Sequence, residues 1–324
     1  MAGSGASDDE VVFEATHLIR IFKSGLVERY FGSDPFPAST EAGTGVASKD
    51  RAISPDVAVR LYLPPGAKDG GSSRLPVLVY FHGGGFCLLS AFNGIIHGYL
   101  NSLAARAGAV VVSVEYRLAP EHPIPAAYED SWRALVWVAS HSSSGAGEEA
   151  WLADHADFSR LCLAGDSAGA NIAHHMAMRA AGAEGLPGGA RISGVVLVHP
   201  YFLSGGRVAS EERNPAMAEN LVKMWRVVAP ATTGLDDPWI NPLAGGAPAL
   251  RALPCGRVLV CLAEEDVLRD RGRAYCEALR ASGWGGEVEV VEAAGQGHCF
   301  HLADCTSGDA VRQDEAIARF LNLH

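Results

Sequence analysis

Nowhere do the 324 residues hold a run of about 18 apolar side chains, which excludes a membrane-spanning helix. Positive charge is scarce as well: 26 Lys and Arg stand against 37 Asp and Glu, a net charge of −11. Nucleic-acid binding needs a basic stripe along the phosphates, so that class of partner is excluded. The opening Met1–Glu10 has neither a basic region nor an apolar core, and no secretory signal peptide is expected. The seven cysteines are odd in number and contain no CxxC pair, which argues against a disulfide frame and against a zinc site. Cys162 and Cys261 sit inside apolar runs, so the pattern predicts reduced, buried thiols in a cytoplasmic protein. Cys299 is also expected to serve packing.

What is present is a globular chain, 48% hydrophobic, with enough apolar residues for a large core. Short β-branched runs alternate with longer helical patterns from about residue 57 onward. The strands expected are Val57–Leu63, Val77–Phe81, Ala109–Val114, Arg160–Ala164, Gly194–His199, Arg257–Ala263 and Glu287–Glu292. Near-continuous apolar strands are those of a sheet covered on both faces. Helices are expected at Ala126–Ser140, Ala168–Ala181, Asp270–Ser282 and Ala310–Leu321. This alternation predicts an α/β fold with a mostly parallel, doubly wound sheet. Leu18, Ile19, Phe22 and Leu26 fall at near-helical spacing, and Leu221–Val228 is a second helical patch. One domain over 1–324 is expected, with segments of about 1–50 and 200–250 covering the active edge. The Gly/Ser-rich stretches 69–73 and 142–147 read as surface loops.

The chemistry is concentrated in three places. Gly165-Asp-Ser-Ala-Gly169 lies between the strand ending at Ala164 and the helix from Ala168, the context that G-x-S-x-G requires. Such a turn lifts the Ser167 hydroxyl out of the sheet, beside the amides of a helix N-terminus. His82-Gly-Gly-Gly85 follows the strand Val77–Phe81, and successive glycines let amides converge on one point. The N–H groups of Gly83, Gly84 and Ala168 are therefore the candidate oxyanion hole, with His82 holding the loop. No Gly-Lys-Ser/Thr follows, so the run is not a phosphate loop. A serine needs a base, since its hydroxyl is not ionised near neutral pH. With the acid and then the histidine following the serine, Asp266 and His298 are the partners expected, on loops after later strands. His301 rivals His298, and Glu264, Glu265 and Asp270 rival Asp266. His174 and His175 read as packing residues. Phe31, Leu88 and Trp239 are candidates to line the substrate pocket, each equally suited to a core.

Over nearly its whole length the chain resembles the plant carboxylesterases of the hormone-sensitive-lipase-like group. The matching stretches are Gly45–Asp50, His82–Phe86, Tyr116-Arg-Leu-Ala-Pro-Glu121, Gly165–Asn171, Asp237-Pro-Trp-Ile-Asn-Pro242 and Asp266-Val-Leu-Arg-Asp-Arg-Gly272. The resemblance implies an α/β-hydrolase fold with a helical cap, a triad at Ser167, Asp266 and His298, and short-chain acyl esters as substrates. It implies no cofactor and no metal. Two relatives in that group point elsewhere. Gibberellin receptors are binding proteins that lack the catalytic histidine, which is present here as His298. The 2-hydroxyisoflavanone dehydratases are lyases whose leguminous type tends to carry threonine at the nucleophile position, where this chain has Ser167.

Overall fold

A computed structural model describes residues 10–15, 17–67, 74–142, 148–183 and 185–323. The loops expected at 69–73 and at all but Ser142 of 142–147 lie outside the described residues, as does the chain before Glu10. Three short strands come first: β1 (Val11–Ala15), β2 (Ile19–Phe22) and β3 (Val27–Arg29). They form an antiparallel sheet of their own. Then follow β4 (Ala47–Ser54), β5 (Val57–Leu63), β6 (Leu75–Phe81), α1 (Gly94–Ala107), β7 (Val110–Glu115), α2 (Ala126–Ser140), α3 (Ala150–His155), β8 (Ala156–Asp166) and α4 (Ala168–Ala180). The chain continues with β9 (Ile192–Val198), α5 (Ala209–Arg213), α6 (Pro215–Val228), β10 (Arg257–Ala263), α7 (Arg269–Ala281), β11 (Glu287–Ala293), α8 (Phe300–Ala303) and α9 (Gly308–Asn322).

The main sheet has eight strands in the order β11-β10-β9-β8-β6-β7-β5-β4. Pairing is parallel from β11 to β7, and β5 and β4 are added antiparallel at one edge. Val77, Val79, Val110, Val112, Leu161 and Leu163 are buried, as expected for strands covered on both faces. The strand order reverses beside β6, because β7 lies on one side of it and β8 on the other. Open α/β sheets place ligand sites at the carboxyl ends of strands near such a reversal. His82, Ser167, His199, Asp266 and His298 all follow the carboxyl ends of β6, β8, β9, β10 and β11.

One expectation is overturned. Leu18, Ile19, Phe22 and Leu26 are not on a helix: Leu18 is in the turn before β2, Ile19 and Phe22 are on β2, and Leu26 follows the turn after it. Ile19 and Ile21 are buried while Leu18 and Leu26 are exposed, the period of a strand, and Gly25 turns the chain at φ 87°. Burial of alternate β-branched residues wins over the 3.6-residue spacing. Arg29 anchors this small sheet to the main body. Its Nε donates to Cys87 O at 2.7 Å, its Nη2 to Ala119 O at 3.0 Å, and it pairs with the Glu121 carboxylate at 2.6 Å.

Candidate active site

Ser167 occupies the turn between β8 and α4 at φ 53° and ψ −115°, a backbone conformation that a side-chain-bearing residue holds only under constraint. The constraint is local. Ser167 N–H donates to Val198 O at 2.8 Å, and its own carbonyl accepts from Tyr201 N–H at 3.0 Å. The glycines two residues away are required by space. A Cβ on Gly165 would strike the backbone of Gly169, and one on Gly169 would strike the carbonyl oxygen of Phe81. Gly169→Ala is therefore expected to cost at least about 3 kcal/mol, since neither backbone can withdraw. Gly245, with nothing within 4 Å of the added carbon, is the control. In thermal melts the first variant should unfold several degrees early and the second should not. A wild-type melting temperature for Gly169→Ala contradicts the packing.

Of the amides expected to form the oxyanion hole, one is otherwise engaged. Gly83 N–H donates to Asp166 Oδ1 at 3.1 Å, which removes it from the candidate set. The amides of Gly84, Gly85 and Ala168 have no acceptor among the described residues. Gly84 and Gly85 lie at φ 95° and 60°, a left-handed path that favours glycine. The donor set that the geometry offers is thus Gly84, Gly85 and Ala168. His82 braces the loop from behind: its ring stacks on Tyr116 at 4.3 Å, and its Nδ1–H donates to Gly83 O at 2.9 Å. Burial pushes its imidazole down to about 4, so it stays neutral.

His298 Nδ1 and Asp266 Oδ2 are 2.8 Å apart. Burial opposes the imidazolium, but the Asp266 carboxylate outweighs it and holds His298 well above the ordinary histidine range. Burial likewise opposes the Asp266 carboxylate, yet the imidazole keeps that acid below its usual value. Asp266 Oδ1 also accepts from Leu268 N–H at 3.0 Å, which fixes the carboxylate plane. The rivals are placed elsewhere. His301 is fully buried against Tyr99, with no ring-nitrogen partner among the described residues. Glu264 accepts from Gly295 N–H, and Asp270 from Ser210 N–H. His174 and His175 are buried and reach Tyr275 and the Trp239 carbonyl, as packing residues do.

Leu88 is buried against Gly84. Trp239 stacks on Tyr128 at 4.2 Å, and its carbonyl accepts from Asn171 and His175, beside α2 and α4. Phe31 is largely exposed, beside Gly32, which packs against Leu89 and Asn93. Two clefts, about 310 Å³ along α6 and about 420 Å³ around Arg29 and Glu121, lie apart from Ser167. Ser167 itself is only 7% exposed.

Two side chains had no signal in sequence spacing. Asp166 receives the Gly83 amide, and His199 Nδ1 accepts from Cys299 N–H at 2.9 Å, which steadies the residue after His298. His199, His298 and Cys299 bring potential metal-ligating atoms within 4.8 Å of one another. That amide bond leaves the His199 proton on Nε2, so the group suits a cation poorly.

A family profile described as alpha/beta hydrolase fold matches residues 78–302. The chain is 49% identical over 319 residues to tuliposide A-converting enzyme 2, chloroplastic, of Tulipa gesneriana, covering 98% of this chain and 80% of that one. It is 47% identical over 306 residues to 2-hydroxyisoflavanone dehydratase of Glycyrrhiza echinata, with 92% of each covered. To probable carboxylesterase 1 of Arabidopsis thaliana it is 44% identical over 318 residues, covering 97% and 98%. Among solved structures it resembles the hyperthermophilic esterase of Pyrobaculum calidifontis, with a TM-score of 0.69, 31% identity, and 85% and 84% coverage. The cytoplasmic placement expected from the cysteines is overturned, because tulip relatives are named chloroplastic or amyloplastic. All seven thiols are free, five of them buried. Reduced thiols distinguish a reducing compartment from an oxidising one and do not single out the cytosol.

Proposed function

Because the chain belongs to the alpha/beta hydrolase fold family, a hydrolase family with esterases among its members, we propose that it is a serine carboxylesterase acting on small acyl esters. The observation that carries this reading is the 2.8 Å contact of His298 with Asp266, at the same sheet edge as the constrained Ser167. In the first half-reaction Ser167 Oγ attacks the ester carbonyl while His298 Nε2 takes its proton. Asp266 holds the tautomer with the proton on Nδ1 and stabilises the imidazolium. Negative charge gathers on the former carbonyl oxygen, where the amides of Gly84, Gly85 and Ala168 are free to receive it. The C–O bond breaks, His298 returns the proton to the departing alcohol, and an acyl-serine remains. Water repeats the sequence and frees the acid. No cofactor or metal is needed for these steps.

In this reading the small sheet riveted by Arg29 and the α5–α6 insertion act as the cap, keeping water from the acyl-enzyme. The named plastid relatives make a plastid the proposed location. Sequence identity of 47% to a dehydratase supports a lyase as the second reading. A panel of nitrophenyl esters from acetate to octanoate, run beside a 2-hydroxyisoflavanone and a gibberellin, separates the readings. Turnover of the short esters without water loss from the isoflavanone is the expected result. Dehydration with ester rates at the level of a Ser167→Ala control overturns the esterase reading, and so does gibberellin binding without ester turnover.

A further inference from the structure

Asp166 ends β8, is 1% exposed and immediately precedes Ser167. The residues before it in that strand, Leu161 to Ala164, are apolar and buried. A carboxylate at the end of such a run loses its hydration, and that loss is recovered only through hydrogen bonds. Among the described residues three donors serve it, and none is a cation. Gly83 N–H donates to Oδ1 at 3.1 Å, the Tyr80 hydroxyl donates to the same oxygen, and Cys299 Sγ lies 3.6 Å from Oδ2. Each donor belongs to a different part of the site. Gly83 precedes the two free glycine amides, Tyr80 lies on β6 beneath them, and Cys299 follows His298. The fit at Gly83 is close, since a Cβ there would collide with the Asp166 carboxylate.

We propose that Asp166 is a positioning residue whose carboxylate joins the glycine loop, the nucleophile turn and the base loop into one rigid unit. With Gly83 N–H bound to Asp166, the loop must turn at Gly84 and Gly85, and their amides are left for a ligand. With the Cys299 thiol against Oδ2 and its amide on His199, the left-handed turn at Cys299 (φ 53°) is fixed, and the His298 ring with it. With asparagine at 166 the shared Oδ1 can still accept from Gly83 N–H and the Tyr80 hydroxyl, but more weakly without the charge, and the acceptor facing the Cys299 thiol is lost, so the base loop has a reason to rearrange. Charge adds a second effect. Among the described residues, Asp266, His199, Cys299, His301 and Asp166 are the titratable groups facing His298 from the β10–α7 loop, the end of β9, its own loop and β8. Among them Asp266 and Asp166 are the carboxylates: Asp266 holds His298 up, while burial lifts the Asp166 carboxyl above its usual range and the Tyr80 hydroxyl, the charge of His298, the Cys299 thiol and the Gly83 amide draw it back toward the anion.

This inference rests on Ser167 being the nucleophile, and its test is arranged to fail separately. Asp166→Asn keeps shape and one acceptor oxygen but removes the charge. Its kcat on nitrophenyl acetate should fall by at least about 30-fold, with KM changed less than about threefold, as for a loss felt mainly in the transition state. The acid limb of its kcat/KM profile should move to lower pH, because an anion that stabilised the imidazolium is gone. Labelling of Ser167 by a fluorophosphonate should slow in parallel. Tyr80→Phe leaves Asp166 in place, removes one donor and should lower kcat by a smaller factor, about threefold to tenfold, again at unchanged KM. Folded Asp166→Asn protein with kcat within threefold of wild type overturns the inference. An unmoved acid limb with a kcat loss matched by lost melting temperature also overturns it. If Asp166→Asn does not fold, wild-type kcat in Tyr80→Phe does the same. Should Ser167→Ala retain turnover, the hydrolase reading falls first; should it be inactive while Asp166→Asn is unaffected, only the positioning role falls.

Discussion

Replacing Ser167 by alanine is expected to lower kcat on a short acyl ester by at least about 10³-fold without unfolding the protein. The size of the effect follows from the triad acting as a unit: without Oγ there is no acyl-enzyme, and the remaining amides assist only direct attack by water. Stability should hardly change, because the constraint at this turn comes from the Ser167 backbone bonds to Val198 and Tyr201 and not from its hydroxyl. Alanine also accepts the positive φ no better than serine, so relief of strain cannot disguise the loss. Steady-state kinetics beside a thermal melt check both halves. Residual turnover within tenfold of wild type would mean that another group attacks the ester.

His298→Ala is expected to match the serine variant within about an order of magnitude, for the same reason. The wild-type pH profile carries a further sign. His298 works as a base only when neutral, and its imidazolium is held above the ordinary histidine value by the Asp266 carboxylate, which outweighs the partial loss of hydration. Activity should therefore be lost as pH falls through a value above about 6.5, with kcat/KM rising on the alkaline side. Asp266→Asn removes the anion that stabilises the imidazolium. Its acid limb should then shift to lower pH while its plateau drops, since the amide no longer enforces the productive tautomer. About a third of the His298 side chain meets solvent, which tempers the shift but does not reverse it. A wild-type profile flat from pH 5 to 8 contradicts a histidine base.

How much of this was legible in the sequence depended on whether the signal was local. Ser167 was readable because the two glycines, the strand before and the helix after all lie within a few residues of it. The buried parallel strands were readable because Val77–Phe81 and Arg257–Ala263 are apolar on both faces. Helix α1 has no clear sequence signal: Gly94 and Gly98 interrupt its apolar period, and its start is fixed by the side chain of Asn93, which accepts from Ile96 N–H. The N-terminal sheet is ambiguous in sequence because four apolar residues fit a helical spacing as well as two strands joined by a turn. The choice between the two is made by Ile19 and Ile21 packing into the core. Non-local hydrogen bonds left no trace. Gly83 meets its acceptor 83 residues away, and Cys299 lies 100 and 133 residues from His199 and Asp166. For that reason the sequence does not show that the Gly83 amide is engaged by Asp166. Three consecutive glycines give three equivalent amides until a distant carboxylate claims one.

Covalent labelling tests most directly whether Ser167 is the nucleophile of an acyl-transfer site. The purified 324-residue chain is treated with a fluorophosphonate probe, digested, and the modified residue is located by mass spectrometry. The predicted result is one phosphonyl group per chain, on the peptide carrying Ser167, absent after Ser167→Ala and strongly slowed in His298→Ala. Labelling at a different serine, or no labelling of protein that turns over esters, would contradict the account.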